Sequence, residues 1–303
     1  MGTFFQELAK KLAERWITLL VIPGALFLAA VGIGYRLGHR HGLDRDQLRA
    51  FSSEITAWIV RQPPGSQAMA LAAVLLAAAG VGLTVQALAG VTRTLWLGLW
   101  PRPLVFLQYR LVDRRRRLWR ARVDQRRSLQ LTYPSASRTP EQQHQIDSAA
   151  ERVNRFALAE PGRPTWMGDR IYALESVAVN RYGLDLGFGW PRLWLVLPDS
   201  VRTEIGTANA AFATAVATGT WAWPYLLLAI LWWPATLIAF VIGVTGLVQA
   251  RAAIADLTTL SEAALDLHGR ALAIAIGVAE PARTGPLTLA EGKQLTTLIR
   301  KGR

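Results

Sequence analysis

Long apolar runs without aspartate, glutamate or lysine recur along the chain. Two of them cover residues 16–35 and 67–91, and a third extends from 210 to 250. A helix of about 20 apolar residues crosses the hydrocarbon layer of a bilayer. Because lipid offers no hydrogen bonds to the backbone, such a run must form a helix there. The pattern therefore predicts an all-α integral membrane protein.

The third run is too long for one span, and its middle carries the sequence Trp232-Trp233-Pro234. Tryptophan is enriched at membrane interfaces, and the residue before a proline is pushed out of helical conformation. We therefore predict a hairpin of two spans, 209–231 and 232–250, which makes four spans in the chain. The alternative is a single long span over 221–249, which would place the C-terminus on the opposite side of the membrane.

The distribution of charge predicts the orientation of the spans. Arginine is concentrated between residues 93 and 127, and Lys10, Lys11 and Arg15 precede the first run. By the positive-inside rule both segments face the cytoplasm, so four spans put both termini on the cytoplasmic side of a bacterial plasma membrane.

The predicted segments are a cytoplasmic amphipathic N-terminus (1–15), a span (16–35), an extracytoplasmic loop of nearly balanced charge (36–66), a second span (67–91), a basic helix with a cytoplasmic helical insert (92–208), the hairpin spans (209–231 and 232–250), and a cytoplasmic stalk helix with a basic tail (251–303).

A basic amphipathic helix is predicted after the second span. Leu104, Leu107, Leu111, Leu118 and Ala121 follow a spacing of three and four residues, in which Arg114 takes the position between Leu111 and Leu118. Beside a membrane, the net charge of +13 indicates anionic lipid as the partner. We predict that these side chains face lipid headgroups: Arg114, Arg115, Arg116, Arg117 and Arg120. An acidic protein partner is the alternative, and nucleic acid is not expected because few aromatic residues interleave with the arginines.

The insert and the C-terminal region contain clear helix signals. Thr139-Pro140-Glu141-Gln142 forms a predicted capping box, and a second helix starts at Thr165 and ends at Tyr182-Gly183. We predict an irregular segment over 185–198 and a helix that starts at Asp199 and runs into the third span. Thr288-Leu289-Ala290-Glu291 predicts a final short helix. An apolar seam, which must pack on the insert or on another subunit, is predicted from Leu257, Leu260, Ala264, Leu267, Ala271, Ile274 and Val278.

A series of short motifs lies in the insert: Arg163-Pro164-Thr165-Trp166-Met167-Gly168-Asp169, Glu175, Arg181-Tyr182-Gly183-Leu184-Asp185, Trp190-Pro191-Arg192-Leu193-Trp194 and Leu197-Pro198. The series resembles one found in uncharacterised multi-pass bacterial membrane proteins, where a membrane hairpin and a helix with an Asp-Leu-aromatic-Arg element follow. Here Asp266-Leu267-His268-Gly269-Arg270 takes that place, and His268 and Gly269 depart from the pattern. The resemblance implies four spans and carries no activity.

We expect the motif residues to serve a structural or partner-binding role. This set comprises Trp166, Gly168, Glu175, Arg181, Tyr182, Gly183, Asp185, Trp190, Pro191 and Arg192. Four of its members carry charge, and we expect them to form a buried ionic network: Glu175, Arg181, Asp185 and Arg192.

The sequence contains no strong signal for catalysis. It has no cysteine, which excludes disulfides and thiolate chemistry. His39 and His41 lack the further ligands of a metal site, and the glycine pairs do not match a phosphate-binding loop. No nucleophile elbow occurs. We therefore predict a protein that is not an enzyme and that binds no cofactor or metal.

Two functions from different classes remain. The preferred one is a membrane anchor or adaptor that holds a cytoplasmic partner at the bilayer. The alternative is an oligomeric pore or ion channel gated by cytoplasmic helices, and its candidate lining residues are Thr84, Gln86, Thr236 and Thr245. Small residues in the spans, including Gly34 and Gly38 and an alanine-rich stretch from 72 to 82, favour close helix contacts. These contacts would lie within one bundle, in a homo-oligomer or in a larger protein complex.

Overall fold

A computed structural model of the chain describes residues 20–282 and 284–300. Every regular element in these ranges is helical, which confirms the all-α prediction. The helices are α1 (Ile22–Leu37), α2 (Arg45–Arg61), α3 (Pro64–Trp96), α4 (Val105–Thr132), α5 (Pro140–Phe156), α6 (Trp166–Tyr182), α7 (Leu186–Val196), α8 (Asp199–Thr220), α9 (Ala222–Leu228), α10 (Pro234–Ile276) and α11 (Leu289–Arg300). The predicted N-terminal segment 1–15, the first four residues of the first predicted span, and the tail residues Lys301 and Arg303 lie outside the described residues.

Two helices, α3 and α10, are long and apolar enough to cross a membrane. The mean hydropathy of their most apolar 18 residues is 2.3 and 1.9, and only 17% and 28% of those residues are buried. A core helix of a water-soluble protein would bury its apolar side. The exposed apolar surface therefore fits membrane spans, and the predicted spans 67–91 and 232–250 fall mainly within these two helices.

The other two predicted spans are less regular than expected. In the described residues, α1 contains only 16 residues. Region 209–231 is divided between the end of α8 and the seven-residue α9. A turn separates Leu228 from Pro234, so an unbroken helix over 221–249 is wrong and the predicted break is confirmed. Pro234 can begin a helix because the missing proline N–H is not needed in the first turn.

The described chain forms two compact units. Unit 1 contains the described residues up to Thr92 together with Thr214–Gln249, and unit 2 contains Arg93–Ala213 together with the described residues from Ala250 onward. Helices α3, α8 and α10 each contribute residues to both units.

Small residues make the helix contacts of unit 1. A Cβ added at Gly24 would overlap the backbone of Ala78, and one added at Gly82 would overlap the backbone of Leu20. Gly34 lies against Trp232 and Leu228 of the hairpin region. Such close approach is how helices pack in lipid, where burial of apolar surface gives little driving force.

Only some of the small residues that were predicted to make helix contacts do so in the structure. Gly38 ends α1 with φ 60° and has no neighbour that an added Cβ would touch. On α3, Ala78 and Gly82 are buried, whereas Ala72, Ala73, Ala77 and Gly80 are exposed within the chain. Their apolar faces remain open for lipid or for another protein chain.

Unit 2 has a core rich in leucine, in which Leu184, Leu193, Leu265, Leu272 and Leu295 are almost completely buried. The capping boxes predicted at Thr139 and Thr288 are present, and α6 ends at a left-handed Gly183 as predicted.

The prediction of an irregular segment over 185–198 is wrong, because this segment contains α7. The carboxylate of Asp185 accepts the N–H of Gly187 and so caps the helix. Pro191 lies inside α7 and cannot donate a backbone hydrogen bond. Burial of Gly189 and Leu193 in the core outweighs this loss. The composition of the segment did not reveal that compensation.

The buried face of α10 also differs from the predicted seam. Leu267 is 76% exposed and Ala271 is exposed, whereas Ala264 is buried as expected. Leu257, Leu260, Ile274 and Val278 are partly buried. The fully buried positions include Thr258 and Ser261, which the seam omitted. Thr258 can be buried because its hydroxyl donates to the carbonyl of Ile254 at 2.8 Å.

Candidate binding site in the motif region

The first motif is organised around Asp169, in the first turn of α6. Its carboxylate accepts the backbone N–H groups of Gly162 and Arg163 at 2.9 and 2.7 Å. It also pairs with Arg115 at 2.7 Å, and the two side chains are only 4% and 18% exposed. Burial raises the pKa of Asp169, although the N–H of Arg163 and the guanidinium of Arg115 act in the opposite direction. Arg115 therefore faces protein, and the prediction that it faces lipid is wrong.

The neighbouring arginines of α4 lie nearer the surface. Arg116 donates to the carbonyl of Pro161 at 2.8 Å, and Arg120 and Arg117 pair with Glu160 and Asp113. Arg114 is exposed. The predicted apolar stripe is not the packing face of α4, because Leu107 and Leu118 are exposed whereas Val112 is buried.

The second motif provides the docking surface for α11. Gly183 has φ 67° and contacts the backbone of Leu289 and Lys293. Gly292 approaches from α11 so closely that an added Cβ would overlap the carbonyl oxygen of Tyr182. Glycine is therefore required on both sides of this contact.

Polar groups fix the same contact. The Thr296 hydroxyl donates to the carbonyl of Gly183 at 2.8 Å and accepts the N–H of Asp185 at 3.1 Å. Arg300 pairs with the carboxylate of Asp185 at 2.6 Å. The hydrogen bond from Arg300 lowers the pKa of Asp185. The described C-terminal helix is thus held by Asp185 from a position more than 100 residues earlier in the chain.

The element Asp266-Leu267-His268-Gly269-Arg270 supplies two further contacts. The hydroxyl of buried Tyr182 donates to the carboxylate of Asp266. Burial, followed by this interaction, raises the pKa of Tyr182 to about 12. Arg270 pairs with Glu291 at 3.0 Å, with 8% and 13% of the side chains exposed. Both charged residues of the element therefore hold the helical packing together.

The predicted four-residue ionic network does not form. Glu175 pairs with Arg163 at 3.3 Å, and Asp185 pairs with Arg300. Arg192 donates to the carbonyl of Phe188 within its own helix, and Arg181 lies over the ring of Tyr182. The motif charges are thus distributed over separate local contacts.

Trp190 lines a cleft of about 480 Å³ in unit 2. Trp190 and Trp194 meet with ring centres 6.4 Å apart, and Arg192 and Pro191 are not in the wall. Most of the lining is apolar. The wall is completed by Ile171, Leu174, Ile205, Gly206, Asn209, Leu257, Thr258 and Ser261.

Trp166 contacts Arg170, which lines a second, smaller cavity of about 260 Å³. The guanidinium carbons of Arg170 and Arg251 are 5.3 and 5.2 Å from the centre of its indole ring. Its indole N–H donates to the carbonyl of Arg155 at 3.2 Å. The cavity wall contains Arg170 and Glu262. Gly168, from the same motif, instead lies against the backbone of Leu97.

The predicted pore-lining residues do not converge in unit 1. Thr84, Gln86, Thr236 and Thr245 are all exposed, and Thr84 donates to the carbonyl of Gly80 in its own helix. The buried polar cluster consists of other residues. The Thr220 hydroxyl donates to Thr92 Oγ1 at 3.0 Å, and the Trp223 indole donates to the same oxygen at 3.1 Å. Thr92 was not among the predicted polar residues of the spans, because it directly follows the predicted span 67–91.

No group of three histidine or acidic side chains that could hold a metal occurs in residues 20–282 and 284–300. No protein-family model, curated protein or solved structure matches the chain. The family resemblance of the motif series therefore remains a prediction, and functional inference rests on the site itself.

Proposed function

We propose that the protein is a non-enzymatic, four-span anchor of the bacterial plasma membrane that holds a cytoplasmic partner at the bilayer. Both termini and unit 2 would lie in the cytoplasm. The observation that carries this proposal is the contrast between the exposed apolar side chains of α3 and α10 and the ion-paired buried charges of unit 2, such as Asp169 and Arg270. The first surface suits lipid and the second suits water.

The broken third span is compatible with this topology. Irregular backbone is tolerated at membrane depth where other protein groups satisfy it. At the α8–α9 junction, the Thr220 hydroxyl oxygen lies 3.0 Å from Thr92 Oγ1 and 2.7 Å from the carbonyl oxygen of Val216. On the other side of the hairpin, Trp232 donates to the carbonyl of Gly42 at 2.9 Å. This contact supports placing the 36–66 loop and the hairpin turn on the same side of the membrane.

Cysteine labelling tests the topology, and the absence of native cysteine removes background reaction. Ser52 and Ser137 are both exposed and suit substitution by cysteine. An impermeant maleimide applied to intact cells should label Ser52→Cys, whereas Ser137→Cys should react only after lysis. The reverse pattern, or labelling of both sites in intact cells, would refute the proposed orientation.

Helical geometry argues against the pore alternative. Thr84 and Gln86 are two residues apart and therefore about 200° apart around α3. Thr236 and Thr245 are nine residues apart, about 180° around α10. Neither pair can share one face of its helix, so at most one residue of each pair could line a given path. Liposomes containing the purified protein should show no ion flux, and a conductance altered by Gln86→Leu would favour the pore.

The exposed side of α4 is the proposed contact for an acidic partner or for anionic lipid. Arg114 is exposed there, and Arg117 is 73% exposed. Proteins copurified from native membranes should include one that is lost with the double variant Arg114→Glu/Arg117→Glu. Arg152→Glu, an exposed arginine on α5, is the matched control. If every copurifying protein is equally retained by both variants, α4 is not the adaptor surface.

The open small-residue face of α3 supports assembly into a homo-oligomer or a larger complex. Ala73 and Ala77 also line a groove of about 820 Å³ in unit 1 with residues of α1 and α2. Crosslinking between cysteines introduced at Ala73 in separate copies would support self-association. A monomeric particle in native nanodiscs would contradict it.

A further inference from the structure

The two cavities of unit 2 share part of their walls. Leu174 and Thr258 line both of them. The larger cavity is lined mainly by apolar groups and contains Trp190 and Trp194, whereas the smaller contains the guanidinium of Arg170. The apolar cavity therefore adjoins a cavity with a cationic wall, and a ligand that lies across Leu174 and Thr258 would contact both.

The protein meets only part of the hydrogen-bonding capacity of the Arg170 side chain. Its Nε is buried and has no hydrogen-bond acceptor among the described residues. Burial lowers the pKa of Arg170, and only the charge of Glu262 opposes this effect. Arg251 also lies near the indole ring of Trp166, so two guanidinium groups share this ring. A partly desolvated cation is costly unless it is paired, and an anionic ligand group in the smaller cavity would pair with the guanidinium of Arg170.

The shape and polarity of the two cavities together fit an amphiphilic ligand. A free inorganic anion would leave the cleft around Trp190 and Trp194 empty, and a hydrocarbon would leave Arg170 unsatisfied. The larger cavity lies within the size range of small-molecule sites, roughly 300–1,000 Å³. The ligand must therefore carry both an anionic head and an apolar chain.

The position of Arg251 indicates the source of such a ligand. It directly follows the predicted span 232–250, so in the proposed topology it lies at the depth of the cytoplasmic headgroups. Anionic lipids are concentrated at that surface. This step rests on the proposed topology, whereas the shape of the cavities does not.

We propose that the paired cavities bind one anionic phospholipid, with its phosphate against Arg170 and an acyl chain along Trp190 and Trp194. Glu262 then limits the site to a single phosphate by balancing one of the two arginines. The bound lipid would fix unit 2 to the membrane at a defined place.

Native mass spectrometry of the full-length protein in detergent tests this proposal. Phosphatidylglycerol should bind with one lipid per chain, and phosphatidylcholine should bind at least about tenfold more weakly. Arg170→Gln should weaken phosphatidylglycerol binding by about tenfold, the loss expected for one charge-assisted hydrogen bond. Arg152→Gln, which changes an exposed arginine of α5, should bind as the wild type does.

A second variant fills the cleft without removing a contact. Gly206 lines its wall, and an added Cβ would meet no atom within 4 Å. Gly206→Leu should keep the fold, checked by circular dichroism and gel filtration, and should weaken lipid binding.

The lipid site would be refuted if both variants bound phosphatidylglycerol with wild-type affinity, or if the two lipids bound equally well. Binding of several lipids per chain that does not depend on Arg170 would also refute it. The cysteine-labelling test of the topology does not depend on the lipid site. Loss of the site with the predicted labelling pattern would leave the anchor topology intact.

Discussion

Units 1 and 2 are both helical, but different interactions hold them together. In unit 1 the close contacts are made by Gly24, Gly34 and Gly82, and long apolar side chains of α3 such as Leu76 point outward. In unit 2 leucines fill the interior, and buried charges such as Arg270 and Asp169 are paired.

The difference follows from the solvent that each unit is proposed to meet. In lipid, leucine gains little by moving to the interior, so helices associate through close backbone contact between small residues. In water, apolar burial drives folding and each buried charge needs a partner. The same helical geometry therefore requires different residues at its contacts, and the following substitutions test this contrast.

The largest effect is expected in unit 2 from Arg270→Met. The variant would remove the buried ion pair between Arg270 and Glu291, which costs about 3–5 kcal/mol of unfolding free energy. Thermal unfolding in detergent, followed by circular dichroism, measures the change. Adding Glu291→Gln should recover part of the loss, and Arg117→Met should have almost no effect because its ion pair is exposed. Equal effects of Arg270→Met and Arg117→Met would contradict the assigned burial.

Leu265→Ala and Leu267→Ala make the same change two residues apart on α10. Leu265 is completely buried, so its truncation should cost about 2–5 kcal/mol. Leu267 is 76% exposed, so its truncation should stay within about 0.5 kcal/mol. Unfolding midpoints in the same detergent compare the two. A larger loss of unfolding free energy for Leu267→Ala than for Leu265→Ala would instead support the buried seam predicted from the heptad spacing.

Gly24→Ala examines the small-residue contact of unit 1. The new Cβ would meet the backbone of Ala78, which cannot move as a flexible side chain could, so a loss of about 1–3 kcal/mol is expected. Gly80→Ala on α3 is the control, because its Cβ would meet no atom within 4 Å. Thermal stability in nanodiscs should separate the two variants. Similar behaviour would show that α1 and α3 are not in close contact.

The smallest effect is expected for Tyr182→Phe, which removes the hydrogen bond to Asp266 and should cost about 1–2 kcal/mol. The folded protein holds the Tyr182 proton up to a pKa of about 12, whereas an ordinary tyrosine has a pKa of 10.0. The unfolded chain therefore loses this proton first, and stability falls as the pH rises from about 10 to 12. That decrease should be smaller in the variant. An identical alkaline unfolding profile would show that Tyr182 is not buried against Asp266.

The amino-acid sequence by itself determined the features that depend on near neighbours. Apolar runs predicted α3 and the apolar first part of α10, and Pro234 marked the break before α10. Thr139 and Thr288 predicted capping boxes, and Gly183 predicted the end of α6. Each signal acts over a few residues through backbone geometry or local hydrogen bonds, so no knowledge of the remaining chain is required.

Only the tertiary structure decided which faces are buried and which charges meet. The partner of Asp185 is Arg300, and that of Arg115 is Asp169, neither of which lies within one helical turn. The heptad spacing selected Leu267, but the surrounding helices buried Leu265 and Thr258 instead. Spacing in one helix shows which residues share a side, whereas contacts from distant parts of the chain determine which side is covered and which polar groups can be satisfied there.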